Sequence, residues 1–244
     1  MKNLIFIILV IFKAFQVGAQ DSPESKREDL LDHLNETGLL FLEGEKFRNA
    51  KYYFNEAIKL DRKFAEAYLN RGIVFAKKAR IRKALRDFKE ALRLNPESAE
   101  AFHNRAVVFS QSGQNRQAIK DFDRALELDQ STPSIETYYG RGIAWNNIGE
   151  YDKAILDFNR VIYENPYFAE AYNTRGIAWA LKKEYDKAIE DFRKALELDP
   201  DMAYETEYNA KLALEAMRGK QTKKSYRFSH KVIKRKRQKP FLTH

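Results

Sequence analysis

The chain of 244 residues contains no cysteine and has only 10 glycines and 6 prolines. Without cysteine it can form no disulfide, cannot carry the lipid that anchors a bacterial lipoprotein, and has no thiol to be misoxidised outside the cytosol. Scarce glycine suits a helical chain, because glycine weakens the interior of a helix. No segment shows the alternating apolar pattern of a half-buried strand. These absences favour an all-α protein.

Residues that could perform catalysis are also scarce. The sequence has no glycine-rich phosphate loop and no serine in a nucleophile motif. Its carboxylates recur at a regular period, which is typical of solvated helix faces. No metal-ligand spacing relates the four histidines, His33, His103, His230 and His244. The sequence therefore predicts a non-enzymatic protein with no catalytic residue, no metal site and no cofactor.

Small and large residues recur in a fixed order about every 34 residues. In the unit that begins with Ala65 as position 1, positions 4, 8, 11, 20, 24, 27 and 32 hold Tyr68, Gly72, Phe75, Ala84, Phe88, Ala91 and Pro96. The same size classes return with few departures, such as Val161 at position 27, where alanine is expected. Repeats are a primary signal of architecture. The pattern predicts five units, at 31–64, 65–98, 99–134, 135–168 and 169–202.

Each unit has the pattern of two amphipathic helices. Positions 4, 8 and 11 fall on one face of a first helix, and positions 20, 24 and 27 on one face of a second. Small residues at 8, 20 and 27 allow the two backbones to approach, and the proline near 32 ends the second helix. One hairpin cannot bury its apolar face alone, so we expect the units to stack.

This pattern resembles the tetratricopeptide repeat family over residues 31–202. The resemblance implies an all-α, right-handed superhelical solenoid of antiparallel helix pairs, whose first helices line a concave groove for peptides or partner helices. It implies no particular partner, because the same scaffold serves different functions.

Two charged positions change together. Position 7 is arginine and position 23 is aspartate in four units, whereas the first unit has Thr37 and Tyr53 there. We therefore predict an ion pair between the two helices of one unit, with independent surface charge as the alternative. The predicted pairs are Arg71–Asp87, Arg105–Asp121, Arg141–Asp157 and Arg175–Asp191.

Position 2 is acidic in every unit, which has two interpretations. The carboxylates lie in the first helical turn, where they favour the positive end of the helix dipole. Alternatively, they form an acidic ladder along the concave edge, joined by polar side chains that could bond to the backbone of an extended peptide. The candidate groove residues are Glu66, Asn70, Glu100, His103, Asn104, Glu136, Tyr139, Glu170 and Asn173.

Some members of the family bind the C-terminal carboxylate of a partner through basic residues at position 2 and asparagines at positions 6 and 9. Here only Asn70 and Asn104 match, because position 9 is apolar and position 2 has the opposite charge. We therefore predict against such a carboxylate clamp and for a neutral or basic ligand segment.

The N-terminus has the layout of a secretory signal peptide. A short basic start precedes nine apolar residues, Leu4 to Phe12, and Lys13 ends this run well short of the ~20 residues that a spanning helix needs. We predict cleavage after Ala19 and a periplasmic, envelope-associated or secreted protein with no transmembrane span in the mature chain. An uncleaved anchor at 1–19 is the alternative. Residues 20–30 are predicted to form a linker.

The positive charge belongs to the C-terminus. Of the formal net charge of +9, Lys2 and Lys13 contribute two and the stretch from Gly219 contributes ten with no acid, which leaves −3 for residues 20–218. We expect 203–218 to form a capping helix whose Tyr204, Tyr208, Leu212 and Met217 cover the last unit, with a degenerate sixth unit as the alternative. The basic tail, 219–244, is expected to be disordered. Its candidate contacts are Lys223, Lys224, Lys234, Arg235, Lys236 and Arg237.

Two functions remain open from the sequence. The first is an exported adaptor that presents a preformed groove to a protein or peptide partner. The alternative is an electrostatic module whose basic tail binds an anionic membrane or polysaccharide, with the solenoid as a spacer; nucleic acid is disfavoured, because a basic run alone gives only salt-dependent affinity. A tail without a role is also consistent with the sequence.

Overall fold

A computed structural model describes residues 22–129 and 134–218, in which every regular element is helical. The chain divides into two compact units, one ending at Pro96 and the other beginning at Glu97. The predicted signal segment, residues 130–133 at the end of the third predicted unit and the basic tail lie outside the described residues.

The first unit contains two helical hairpins. Helices α1 (Pro23–Glu43) and α2 (Phe47–Leu60) form one, and α3 (Ala65–Lys77) and α4 (Ile81–Leu94) form the next. Helix α3 packs on both α1 and α2, so that Leu31, Ala57 and Ala67 share one buried cluster.

The second unit consists of the same kind of hairpins. Its hairpins are α5 (Ala99–Gln111) with α6 (Asn115–Leu128), α7 (Ile135–Asn147) with α8 (Tyr151–Glu164), and α9 (Ala169–Leu181) with α10 (Tyr185–Leu198). A short 3-10 turn, Pro200–Met202, leads to α11 (Ala203–Met217), which packs on α10 and α9. Each unit is thus a stack of helical hairpins, as expected for a helical solenoid.

The residues predicted for the core are buried. The phenylalanine at position 24 is fully buried in all five repeats, as Phe54, Phe88, Phe122, Phe158 and Phe192. The glycine at position 8 faces this ring in four of them, and a Cβ added there would lie 2.4–2.8 Å from a ring atom. The close approach of the two helices therefore requires glycine, as the small-residue pattern predicted.

One turn geometry joins the two helices of every repeat. The residue at position 15 has a positive φ each time, between 53° and 87°, and the next backbone N–H donates to the carbonyl five residues earlier. Such a left-handed residue is the common end of a helix and favours glycine. The five residues are Glu45, Ala79, Gly113, Gly149 and Lys183.

The predicted linker at 20–30 is wrong for its described part from Pro23 onward, because α1 already begins there. The Ser22 hydroxyl accepts a hydrogen bond from the Ser25 backbone N–H at 3.1 Å, and proline occupies the first turn. Arg27 donates to the Leu60 carbonyl at 3.0 Å and so ties the extra turns to the end of α2.

The residues chosen for the capping contact were also largely wrong. Helix α11 does cover α9 and α10, but of the four predicted side chains only Leu212 is buried. The buried face is Thr206, Asn209, Leu212 and Ala213, whereas Tyr204, Tyr208 and Met217 are exposed. The apolar residues of α11 thus lie on both of its faces.

Candidate functional site

The position-2 carboxylates lie at the start of the first helices. In α3, Glu66 is the one exposed residue, and in α7 the one exposed residue is Glu136. Glu100 and Glu170, their counterparts in α5 and α9, are half-buried. The one exposed side chain of α3, and likewise of α7, is therefore acidic.

Burial raises the pKa of Glu100 above its ordinary value. A raised pKa in the folded chain favours the protonated carboxyl. The contribution of Glu100 to the stability of the fold is therefore present at low pH, where the carboxyl is protonated, and is lost as the pH rises through the pKa of the folded chain.

The other candidate groove residues are not on an open surface. Asn70, His103, Asn104, Tyr139 and Asn173 are all buried. Four of them, Asn70, His103, Tyr139 and Asn173, bond to a neighbouring helix of the same unit, so they lie inside the stack and not on an open groove. A ligand could not reach them without separating these helices.

These buried side chains form polar bridges with a common geometry. Position 5 of one repeat bonds to position 6 of the next in Asn35–Asn70, at 2.9 Å, and in Tyr139–Thr174, at 3.1 Å. Asn209 donates to Asn173 at 3.4 Å, which joins α11 to α9 in a similar way. Because buried polar groups need partners, each bridge favours one register of the stack.

One bridge departs from this pattern, at a glycine. Position 6 of the fourth repeat is Gly140, which has no side chain to accept a bond. His103 instead contacts the Thr137 hydroxyl at position 3, with 2.8 Å between Nδ1 and Oγ1. The junction between α5 and α7 therefore keeps a polar bridge.

The predicted pairing of position 7 with position 23 is confirmed in all four repeats. Each arginine donates from Nε and Nη2 to the two oxygens of its aspartate, at distances of 2.6–3.0 Å. Two parallel bonds fix the angle between the groups as well as their distance. The guanidinium also stacks over the aromatic ring at position 4, 5.4–5.5 Å from its centroid.

A third bond carries this pairing into the preceding repeat. Arg71 donates to Asn55, Arg141 to Asp123 and Arg175 to Asn159, at 2.6–2.8 Å. Burial lowers the pKa of Arg141, but its bonds to Asp157 and Asp123 outweigh this and raise it overall. Burial raises the pKa of Asp157, and Arg141 offsets part of that rise. The arginine is thus the charged centre that joins three helices.

An open cleft that sequence reasoning missed lies between α9 and α10. It has a volume of about 590 Å³, and Tyr172 and Trp179 line it. Its charges are mixed, and two of its cations are paired within it, Arg175 with Asp191 and Lys194 with Glu197. The cleft shows no preference for a ligand of one charge.

Among residues 22–129 and 134–218, no three side chains of His, Asp or Glu are grouped so that they could hold a metal ion. In the same part of the chain, no helix is both long enough and apolar enough to cross a membrane. The candidate tail residues, from Lys223 to Arg237, lie outside it.

Comparison with known proteins supports the repeat assignment. The tetratricopeptide repeat model matches residues 65–98, 99–131 and 169–202. No curated protein sequence matches the chain.

Similar solved structures include YrrB, described as a tetratricopeptide repeat protein with an unusual peptide-binding site. It is 27% identical, over 76% of this chain and 90% of YrrB, with a TM-score of 0.61. MamA is 25% identical, over 72% and 96%, with a TM-score of 0.61. PilF of Pseudomonas aeruginosa, at 16% identity over 78% and 93% and a TM-score of 0.64, shares the fold. Three of the five repeats match the tetratricopeptide repeat model, and the recurring helical hairpins of the described residues support the same family for the chain.

Proposed function

We propose that the protein is an exported interaction scaffold whose first helices bind a neutral or basic segment of a protein partner. Tetratricopeptide repeats are generally non-enzymatic interaction modules, and YrrB, with a peptide-binding site, is among the structures similar to this chain. The observation that carries the proposal is the exposure of Glu66 and Glu136, each the one exposed residue of its helix.

The mechanism is rigid display. Burial of the polar bridges and of the phenylalanine at position 24 fixes the first helices before any ligand arrives. A flexible partner then bears most of the ordering entropy, which lowers the cost of binding relative to two flexible partners. Glu66 on α3 and Glu136 on α7 each attract basic side chains and repel acidic ones, so each selects by charge.

Peptide selection tests this surface directly. The chain from Gln20 onward is immobilised and exposed to a random library of twelve-residue peptides, and the bound sequences are read. We expect enrichment in lysine and arginine, and a loss of about tenfold in affinity for the selected peptides with Glu66→Lys or Glu136→Lys.

The matched control is Glu127→Lys, which reverses the charge of an exposed side chain on the second helix α6, where Glu127 accepts a bond from Arg124. Unchanged peptide affinity is expected for this variant. Enrichment of acidic C-termini, or equal loss with the control, would contradict the proposed surface and its charge preference.

Export is tested at the N-terminus. If residues 1–19 are a cleaved signal peptide, the mass spectrum of the protein from its native cell should give a chain that begins at Gln20 and is found outside the cytosol. A chain that retains Met1 would contradict cleavage, and membrane association of that chain would indicate an anchor.

The ten basic residues from Gly219 onward favour the electrostatic module as a second function. Its test is deletion of 220–244, followed by measurement of binding to anionic and neutral lipid vesicles. Binding to anionic vesicles that is lost with the tail or at moderate salt supports this function, because such attraction is screened. Equal binding with and without the tail would contradict it.

A further inference from the structure

Within the described residues, helix α11 occupies the place of a first helix and has no second helix after it. It packs on α9 and α10, but no second helix follows it within the described residues to cover its other face. That face exposes Tyr204 by 80%, Tyr208 by 46% and Leu214 by 37%, and Met217, exposed by 51%, lies at its edge beside the buried face. Exposed aromatic and methionine side chains grouped on one helix are typical of interface cores.

The same face has charges of alternating sign. Glu207, Lys211, Glu215 and Arg218 follow one another at intervals of three or four residues, which places them along one side of the helix. None of the four has an ion-pair partner within residues 22–129 and 134–218. On other helices, comparably spaced charges do pair, as in Lys59–Glu56 and Arg160–Glu164.

We propose that a second copy of the chain packs on this face, with the two α11 helices antiparallel about a two-fold axis. In this arrangement Glu207 faces Arg218 of the second copy, and Lys211 faces Glu215 of the second copy. The order acid, base, acid, base is self-complementary when one helix is reversed, as a two-fold interface requires. Tyr204, Tyr208 and Leu214, which lie beside these charges around the helix, pack along the contact.

A second copy fits the face better than the chain's own tail does. Residues 219–244 have ten basic side chains and no acidic one, so they could neutralise Glu207 and Glu215 but would repel Lys211 and Arg218. A second copy provides an opposite charge for all four.

The contact is expected to be reversible. Helix α11 has 15 residues and is about 22 Å long, so one helix pair buries less than a standard stable interface. Two copies joined this way would present two sets of repeats, and a partner with two binding segments would gain avidity.

Sedimentation velocity over a concentration series tests the proposal, with the chain from Gln20 onward. The wild type should change from monomer to dimer as concentration rises. Lys211→Glu should raise the dimer dissociation constant by about tenfold, because it places like charges opposite each other across the axis. The combined change Lys211→Glu with Glu215→Lys should restore the dimer, because it exchanges both members of each pair.

The control is Lys120→Glu, an exposed lysine on α6 that changes the net charge equally and should leave the dimer unchanged. Circular dichroism of each variant establishes that the helices are intact. The proposal is overturned if the wild type stays monomeric at all concentrations, if Lys211→Glu leaves the dimer intact, or if the charge exchange does not restore it. A dimer that is lost on deleting 220–244 would assign the association to the tail.

Discussion

At the scale of single residues, Arg141 shows how a recurring charge contributes to the fold. It bonds to Asp157 in its own repeat and to Asp123 in the preceding one, and it stacks over Tyr138. The pair is mostly buried, so much of its Coulomb energy offsets the cost of desolvation. Its main contribution is to fix the geometry of three helices.

A double-mutant cycle measures that contribution. Arg141→Ala should destabilise the chain by about 3 kcal/mol, because it leaves the Asp157 carboxylate buried without its partner. Asp157→Ala added to it should cost little more, which gives a coupling energy of about 1–3 kcal/mol in urea unfolding. Arg193→Ala, at an exposed arginine on α10, is the control and should change stability by less than about 0.5 kcal/mol. Additive effects would disprove the coupling.

A compensation between two small residues surrounds Phe122. Position 8 of the third repeat is Ala106, whereas the other repeats have glycine there. Position 6 of the next repeat is Gly140, where an added Cβ would lie 2.6 Å from the Phe122 ring. Ala106 adds a methyl group on one side of the Phe122 ring, and Gly140 has no side chain on the other side. This exchange indicates that the ring is displaced towards the following repeat.

This compensation predicts that the two substitutions rescue each other. Gly140→Ala alone should destabilise the chain by about 1–3 kcal/mol through overpacking. Ala106→Gly alone should also destabilise it, by about 1 kcal/mol, through lower helix propensity. The double variant should be more stable than the sum of the two losses implies, as measured by urea unfolding. If the double variant loses the sum of the two single stability losses, the two residues do not compensate for each other around Phe122.

At the scale of helices, the sequence predicted what depends on periodicity. Size class at positions 8, 20, 24 and 27 determines which faces of the two helices meet, so the hairpins and their buried phenylalanines followed from spacing alone. The start of α1 did not, because the hydrogen bonds of Ser22 and Arg27 extend a helix over polar residues. The same limit applies to Asn70 and His103, whose polarity suggested a groove although their bonds lie inside the stack.

The turn at position 15 was also missed, since its residues share no chemical type. Ala79 has a φ of 53° there, in the left-handed region that glycine adopts without strain. Ala79→Gly should therefore stabilise the chain by about 0.5–1 kcal/mol. Thermal and urea unfolding would measure the gain.

Gly149→Ala provides the reverse comparison at the same repeat position. A Cβ there meets nothing within 4 Å, so the expected loss of about 1 kcal/mol comes from backbone strain alone. Opposite signs for the two variants support the role of this turn. A loss in both would mean that side chains, rather than φ, determine its stability.

At the scale of the whole molecule, the residues that hold the repeats together differ from the charged residues that are exposed to solvent. The repeats bury the phenylalanine at position 24 and the aspartate at position 23 that pairs with arginine, and the exposed residues of α3 and α7 are the single glutamates Glu66 and Glu136. The positive charge is concentrated after Gly219. The sequence could therefore predict which kind of surface is exposed. It could not predict the partner, because only the charge and shape of that surface select a ligand.

Quantitative affinity capture from the native cell tests the central claim most directly. The full chain is compared with Glu66→Lys/Glu136→Lys, with the Glu127→Lys control and with deletion of 220–244, and captured proteins are quantified by mass spectrometry. The account predicts a partner that is lost with the double first-helix variant and retained with the control and with the deletion. Identical capture by the double variant, or capture that depends only on the tail, would contradict it.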